Sequence, residues 1–288
     1  MRSLAITGDD FGLSREVNRA VAEAYDHGVL TRASLMVNED AAAEAISLAR
    51  ARPGLSVGLH LVVLDGRSAL PPQAIPRLVA SEGRLPSGPF ATGLRYQFSR
   101  ETRRQLAREI RAQLERFADT GLPLSHVDGH HHMHLHPFVL ETLADLAGRF
   151  GIRSIRLPSE ELGMALSIDR QDIARRTLWT LVFRLLRRHG ERRLRAAGIH
   201  FADRVYGLLA TGRVRESYLL ALIPRIGSED VELYCHPAAA LPGQRFHGPP
   251  ESGPEELAAL VSERVRDAIA RSGFALARPA PALQRSAR

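Results

Sequence analysis

The sequence contains no lysine: all 39 of its Lys-plus-Arg residues are arginine. A Schiff base, or any other lysine-borne catalysis, is therefore excluded. Cys235 is the only cysteine, so no internal disulfide can form and a reducing, cytoplasmic setting is expected. No apolar run is long enough to span a bilayer, which argues against a transmembrane helix. Met1-Arg2, a short strand and then Asp9-Asp10 do not read as a signal peptide. The net charge is +7, but no nucleic-acid motif accompanies it, so no nucleic-acid partner is expected. A basic balance remains compatible with an anionic membrane surface. No internal repeat is present.

What is there reads as alternating strands and helices. Ser3 to Thr7 is a short buried strand leading into Gly8-Asp9-Asp10-Phe11-Gly12. Ser14 caps a helix to about His27, Ala33 to Val37 is a strand, and Asp40 caps a helix to about Arg50. Leu55 to Leu61 is a third strand, with His60 at its end. This β-α-β-α-β rhythm suggests an α/β fold of parallel strands with helices outside. Prolines and glycines between 65 and 100 mark a long loop or insertion, a length expected when a loop covers a site. Thr102 and Gln105 form a capping box for a helix ended by Gly121. A strand from Leu124 to Asp128 delivers the histidines, and Pro137 opens a helix to Phe150. Ile152 to Leu157 reads as a strand. Ser167 to Ala197 is helical and arginine-rich around Trp179. Val231 to Tyr234 is a late strand ending in Cys235-His236-Pro237. A Pro/Gly-rich loop spans Leu241 to Pro254, and Glu255 to about Ser272 is the last helix.

Histidines and acids gather at strand ends. Asp9 and Asp10 close the first strand, His60 the third, His236 the late one. The run Asp128-Gly129-His130-His131-His132-Met133-His134 follows the middle strand, and His136 comes two residues later. In parallel α/β folds strand C-termini face one side, so distant residues can build one site there. One carboxylate and two imidazoles can hold a zinc-like ion and leave positions for water and substrate. A second carboxylate can serve as base and a further histidine as acid. The plainer reading of Asp9-Asp10 is a strand-to-helix turn, and of the histidine run a surface His-rich loop. If the run is extended, alternation puts His130, His132 and His134 on one face. Asp9 and Asp10 can share a site only if the backbone turns, which Gly8 and Gly12 make plausible. Arg156, at another strand end, could orient Asp9 or His236, or pair with a surface acid.

Thr7-Gly8-Asp9-Asp10-Phe11-Gly12, Gly58-Leu59-His60, His126-Val127-Asp128-Gly129-His130-His131-His132 and Cys235-His236-Pro237 resemble the YdjC/ChbG-type carbohydrate deacetylases. The resemblance runs from residue 3 to about 275. It makes 1–275 one metal-dependent deacetylase domain with an insertion near 65–100, and 276–288 a loose tail. The stretches His60 to Arg67, Leu70-Pro71-Pro72, Ile75-Pro76, Thr120 to Leu124 and His134-Leu135-His136-Pro137 resemble the hopanoid-associated branch, HpnK. Gly129-His130-His131 departs from that branch's Ala-His-Lys toward the general family form.

The resemblance implies a distorted (β/α) barrel, one divalent metal ion (zinc or magnesium) and removal of an acetyl group from an N-acetylated amino sugar. For the hopanoid branch the implied substrate is an N-acetylglucosaminyl hopanoid, a glycolipid met at the inner face of a membrane. Carried over by position, Asp10, His60 and His130 are the metal ligands, Asp9 the general base and His236 the general acid. Arg156, His132 and His134 are candidates for substrate binding or for supporting the ligands. Rival readings are a chito-oligosaccharide deacetylase, another hydrolase and a non-enzymatic basic protein with a structural metal. His-x-His hydrolases on barrels usually carry that motif on the first strand; here Asp-Asp stands first.

Overall fold

A computed structural model describes residues 2–80, 82–239 and 251–277. Strand β1 (Arg2–Phe11) is its centre, and every side chain from Leu4 to Phe11 is buried. Helix α1 (Arg15–Asp26), strand β2 (Arg32–Leu35), helix α2 (Ala42–Arg50) and strand β3 (Ser56–Leu61) follow in the expected alternation. Next come α3 (Pro89–Phe98), α4 (Arg100–Asp119), β4 (Val127–Gly129), a 3-10 turn (His130–Leu135) and α5 (Pro137–Phe150). The remainder is α6 (Leu162–Ile168), α7 (Ile173–Ala196), β5 (Arg204–Tyr206), α8 (Glu216–Leu222), β6 (Asp230–Cys235), α9 (Ser252–Val261), α10 (Glu263–Arg271) and β7 (Phe274–Leu276).

The strands lie in the order β4-β3-β2-β1-β6-β5, and all their pairings are parallel. The late strand is therefore the direct neighbour of the first, with Gly8 opposite Cys235. Strand β7 pairs with the start of β1, Arg2 to Leu4, below the point where β2 begins. Beyond β4 the sheet curves round through single bridges, Val127 to Ile155, Ser154 to His200 and Ser159 to Val205, which reach β5. The chain thus forms the expected α/β fold, a distorted barrel of parallel strands with helices outside.

Alternation divides the strands between two environments. Leu4, Ile6, Val57, Leu59, Val231 and Leu233 join one apolar cluster with helix residues such as Val21, Ile110 and Leu140. The intervening residues turn inward and are polar: Thr7 and Asp9, Ser34, His60, Asp128 and Glu232. They bond to one another or to Arg156 across the barrel. Gly58 lies two residues before His60, where a Cβ would come 2.5 Å from the His126 ring.

Several local expectations are corrected. The strand from Ile152 to Leu157 is reduced to bridges. Pro158 supplies no donor there, and the Arg156 carbonyl is taken by His134. Asp40 does not cap α2; its carboxylate pairs with Arg67 at 2.9 Å. Ser99 rather than Thr102 caps α4, accepting from Thr102 N at 3.3 Å, while Gln105 accepts from Arg77 N. The arginine-rich stretch is two helices, broken where Asp169 accepts from Gln171 N and Asp172 turns left-handed, φ 55°. The last helix is also two, because Ser262 accepts from Val265 N and starts α10. The segment from 65 to 98 contains α3 and is fastened to α4, where Glu109 accepts from Ala69 N and Leu70 N at 2.6 and 3.0 Å. Of the expected Pro/Gly-rich loop, 241–250 lie outside the described residues, as do 278–288 of the expected tail.

Candidate active site

Neighbours on a regular strand face opposite sides, yet Asp9 and Asp10 both reach the interior. The β1–β2 register slips between Gly8 and Phe11, and Asp10 itself is left-handed, φ 61°. A non-glycine residue there costs about 1–2 kcal/mol, and such strain gathers at functional sites. Gly12 shares the turn at φ 98°, and its N–H donates to buried Asn18 Oδ1 at 2.8 Å. Gly8 has a different purpose from the one expected, since a Cβ there would meet Leu30 at 2.9 Å.

Asp10 Oδ1 lies 3.3 Å from His60 Nε2 and 3.1 Å from His130 Nδ1. One donor atom from each of the three residues lies within 4.8 Å of the others, and all three residues are buried. Two imidazoles and one carboxylate at this spacing suit a divalent ion. The orientation of His60 supports the same fit. Its Nδ1 faces Asp128 Oδ1 at 2.8 Å, which leaves Nε2 directed at Asp10, the arrangement that fixes a ligating histidine. Burial pulls the His60 pKa down, but Asp128 and hydrogen bonds to Asp10 and Asp128 more than offset this and hold it at about 10. An ion held by His60 takes the place of that proton.

Beneath this cluster lies Arg156, whose side chain is 0% exposed. It donates to Asp9 Oδ2 and Oδ1 at 2.6 and 2.8 Å, to Glu232 Oε1 at 2.8 Å, and lies 2.7 Å from Asp128 Oδ2. Of the roles left open for Arg156, the geometry selects the contact with Asp9; its acids are buried, not on the surface. Burial and the nearby Asp128 raise the Asp9 pKa against the pull of Arg156. Asp128 is held well below the carboxylate range because Arg156 and His60 outweigh its burial. Glu232 is lowered as well, Arg156 again overcoming burial. Asp9, Asp10, Asp128 and Glu232 bring four buried carboxyl groups, and Arg156 is the permanent cation among them. A buried surplus of acids is costly unless a cation joins it.

Sequence reasoning missed Asp128 as an orienting group, with Glu232, His126 and Ser34. Ser34 donates to Asp128 at 2.6 Å and lies 3.1 Å from His126 Nε2. The signals were present: His126 and Asp128 share a strand face by period two, and Glu232 is a lone charge in a buried apolar strand.

The expected alternation of His130, His132 and His134 does not occur. The segment is a 3-10 turn in which His131 and His132 are left-handed, φ 52° and 55°, so period two has no meaning there. Only His130 reaches Asp10. His132 Nε2 meets the Tyr234 hydroxyl at 2.8 Å, and His134 Nε2 bonds the Arg156 carbonyl at 2.9 Å. Burial holds the His132 pKa well below its usual value and that of His134 at about 4. Their partners are thus Tyr234 and the Arg156 backbone, and His132 also lines the cavity beside His60 and His130. His131 lies 3.4 Å from Asp65, and His136 bonds the Gly93 carbonyl at 3.0 Å.

His236 directly follows β6, and its backbone N–H donates to Glu256 Oε2 at 2.5 Å. With Asp9, His60 and His130 it lines a cavity of about 560 Å³. Phe90 of α3 and Leu178, Trp179, Val182, Phe183 and Leu186 of α7 form apolar walls of the same cavity.

The profile of the family described as "YdjC-like protein" matches residues 3–271. A carbohydrate deacetylase of Geobacillus stearothermophilus is 34% identical over 82% of this chain and 80% of its own length. A chitooligosaccharide deacetylase of Serratia marcescens is 30% identical over 95% of this chain and 96% of its own. A solved protein of Enterococcus faecalis V583 superimposes with a TM-score of 0.73 at 22% identity, covering 96% of this chain and 97% of that one. The last likeness carries the fold alone; the profile match, spanning nearly the whole chain, carries the conclusion that this protein belongs to the YdjC-like family.

Proposed function

We propose that this protein is a divalent-metal-dependent deacetylase that hydrolyses the acetamide of an N-acetylated amino sugar, releasing acetate and the free amine. The observation that carries this is the meeting of Asp10, His60 and His130, beside a cavity that His60 and His130 line together with a separate, raised-pKa carboxylate, Asp9. The deacetylase names of the relatives support the same reaction. Asp10, His60 and His130 hold the ion, zinc or magnesium, which when bound lowers the pKa of water and polarises the amide carbonyl. Asp9 takes the proton from the attacking water as the new bond to the acetyl carbon forms. Arg156, gripping both Asp9 oxygens, keeps that carboxylate aimed and opposes the burial that raises its pKa. His236 protonates the nitrogen as the C–N bond breaks, without which the amine leaves poorly. Residues 1–275 act as one catalytic unit in this reading, with 65–100 as its insertion.

The apolar walls favour a finer assignment. A free sugar can stack on Phe90 or Trp179 but has little use for Leu178 and Val182, whereas a glycolipid uses all four. This agrees with the HpnK-like stretches and with N-acetylglucosaminyl hopanoid as substrate, met at the cytoplasmic face of a membrane. Among the described residues no helix is long and apolar enough to cross a membrane.

Mass spectrometry of metal-loaded protein with N-acetylglucosaminyl hopanoid in detergent, and separately with chitobiose, tests both levels. Acetyl loss from the lipid alone is expected. Loss from chitobiose alone would keep the site and remove the hopanoid; loss from neither, with metal bound, would remove the deacetylase. His60→Ala is expected to lose the metal by elemental analysis, and unchanged metal content would refute that ligand.

A further inference from the structure

The large apolar side chains that stay exposed are not scattered. Among the described residues they are Leu13 and eight others, and all eight lie on α3 and α7. Phe90, Leu94 and Phe98 recur every four residues along α3, with Phe90 and Phe98 80% and 78% exposed. Leu178, Leu181, Val182 and Leu185 recur at i, i+3, i+4 and i+7 along α7, with Leu185 66% exposed. Each set is a single helical stripe. Helix α7 packs inward through a different face, which carries Arg176, Gly190 and Leu194. Both stripes reach the cavity: Phe90 of α3 lines it, as do Leu178 and Val182 of α7. The deacetylase site therefore opens between two apolar lips.

Arginines border the lips. Arg188 and Arg192 stand three and seven residues after Leu185, continuing its stripe, and both are exposed, as are Arg184 beside it and Arg95 and Arg100 along and after α3. This charge pattern chooses between occupants. A second copy would bring arginines against arginines, which is unfavourable. A bilayer carrying anionic lipid satisfies both features, burying the apolar stripes at the acyl boundary and meeting the arginines with phosphate.

We infer that α3 and α7 are a membrane-docking face that seats the mouth of the active-site cavity on an anionic bilayer, so that an amphiphilic substrate enters from the membrane headfirst. This deepens the glycolipid reading above and rests on it for its purpose, though not for its test. Phe98, Leu181 and Leu185 do not line the cavity, so they can be changed without touching the site.

The experiment is co-sedimentation of the full chain with vesicles of phosphatidylcholine alone, or with about one-third phosphatidylglycerol, at low salt. Wild type is expected to bind the anionic vesicles and to bind the neutral ones weakly. The triple variant Phe98→Ser/Leu181→Ser/Leu185→Ser is expected to lose about tenfold or more in binding, with its metal content unchanged. Arg184→Glu/Arg188→Glu/Arg192→Glu is expected to erase the preference for anionic vesicles. Wild type that binds neither vesicle, or a serine variant that binds as wild type does, would overturn the docking face. So would a dimer in sedimentation velocity that the serine variant abolishes, which would assign the face to a second copy. Protein that docks yet removes no acetyl group from either substrate would support the docking face and refute the deacetylase, so the two failures are distinct.

Discussion

The floor of the cavity and its mouth follow opposite rules. On the floor, Asp9, His60 and His130 line the cavity, and with Asp10, Asp128, Arg156 and Glu232, the network joined to them, they are all buried and tied together by charge-assisted contacts. At the mouth, leucines and phenylalanines stand in solvent and carry little of the fold. The floor fixes geometry, because a buried charge tolerates few positions. The mouth fixes access, because an exposed apolar stripe costs the fold little and is satisfied only by what docks on it. A site that must both polarise an amide and admit a lipid-linked sugar needs both kinds of surface.

The largest effect that separates the two should come from Asp9. Asp9→Asn keeps the size and a contact for Arg156 but removes the base. Turnover is expected to fall by about two to four orders of magnitude with metal content unchanged. Near-normal turnover with metal retained would remove Asp9 from the proton transfer. Next is Arg156→Leu, which leaves Asp9, Asp128 and Glu232 without their shared cation. Breaking a buried pair this way costs about 3–5 kcal/mol. Chemical denaturation should report it, and a loss below about 1 kcal/mol would mean that the acids find other partners.

Most of the floor was legible in the sequence because strand periodicity and strand-end placement report directly on which residues share a barrel interior. Asp9, Asp10 and His60 needed only the β-α rhythm and one turn, whereas His130 was singled out from its run by the family resemblance. Asp128 and Glu232 were readable by the same period of two but were passed over, since an acid inside an apolar strand looks like noise until its cation is known, and Arg156 lies far away in sequence. The histidine run misled because left-handed φ values at His131 and His132 are set by tertiary packing and leave no pattern in the residues. The mouth was half legible. The composition of α7 was plain, but α3 was hidden in a proline- and glycine-rich stretch whose helix depends on α4 beneath it. The short strands β5 and β7 were missed for a similar reason: three residues each, they pair only because longer strands offer an edge.

Glu160 does not line the active-site cavity but a neighbouring pocket that shares Phe183 and Leu208 with it, and it accepts from Leu209 N at 3.1 Å. Burial raises its pKa to about 7 against those backbone hydrogen bonds. The folded form therefore binds this proton more tightly than the unfolded chain, whose glutamates titrate near their ordinary value of 4.5. As pH rises from about 4.5 to 7 the unfolded chain holds fewer protons than the folded one, so this group's contribution to stability falls and stays low above 7. Glu160→Gln cannot titrate. The melting temperature of wild type should drop relative to that variant by about 2–4 °C or more across this window, and parallel melting curves would show that Glu160 is solvated.

The smallest effect is expected at the mouth, and its smallness is the point. Leu181 and Leu185 are 56% and 66% exposed, whereas Leu186, the next residue, is partly buried and packs against the main core. Replacing either exposed leucine by serine should change unfolding free energy by no more than about 0.5 kcal/mol. Leu186→Ser should cost about 1–3 kcal/mol, because it strips methylenes from packed surface and places a hydroxyl beside them. If the exposed leucines proved as costly as Leu186, their stripe would be part of the folding core, and the division between a floor that holds and a mouth that receives would fail at its weaker side.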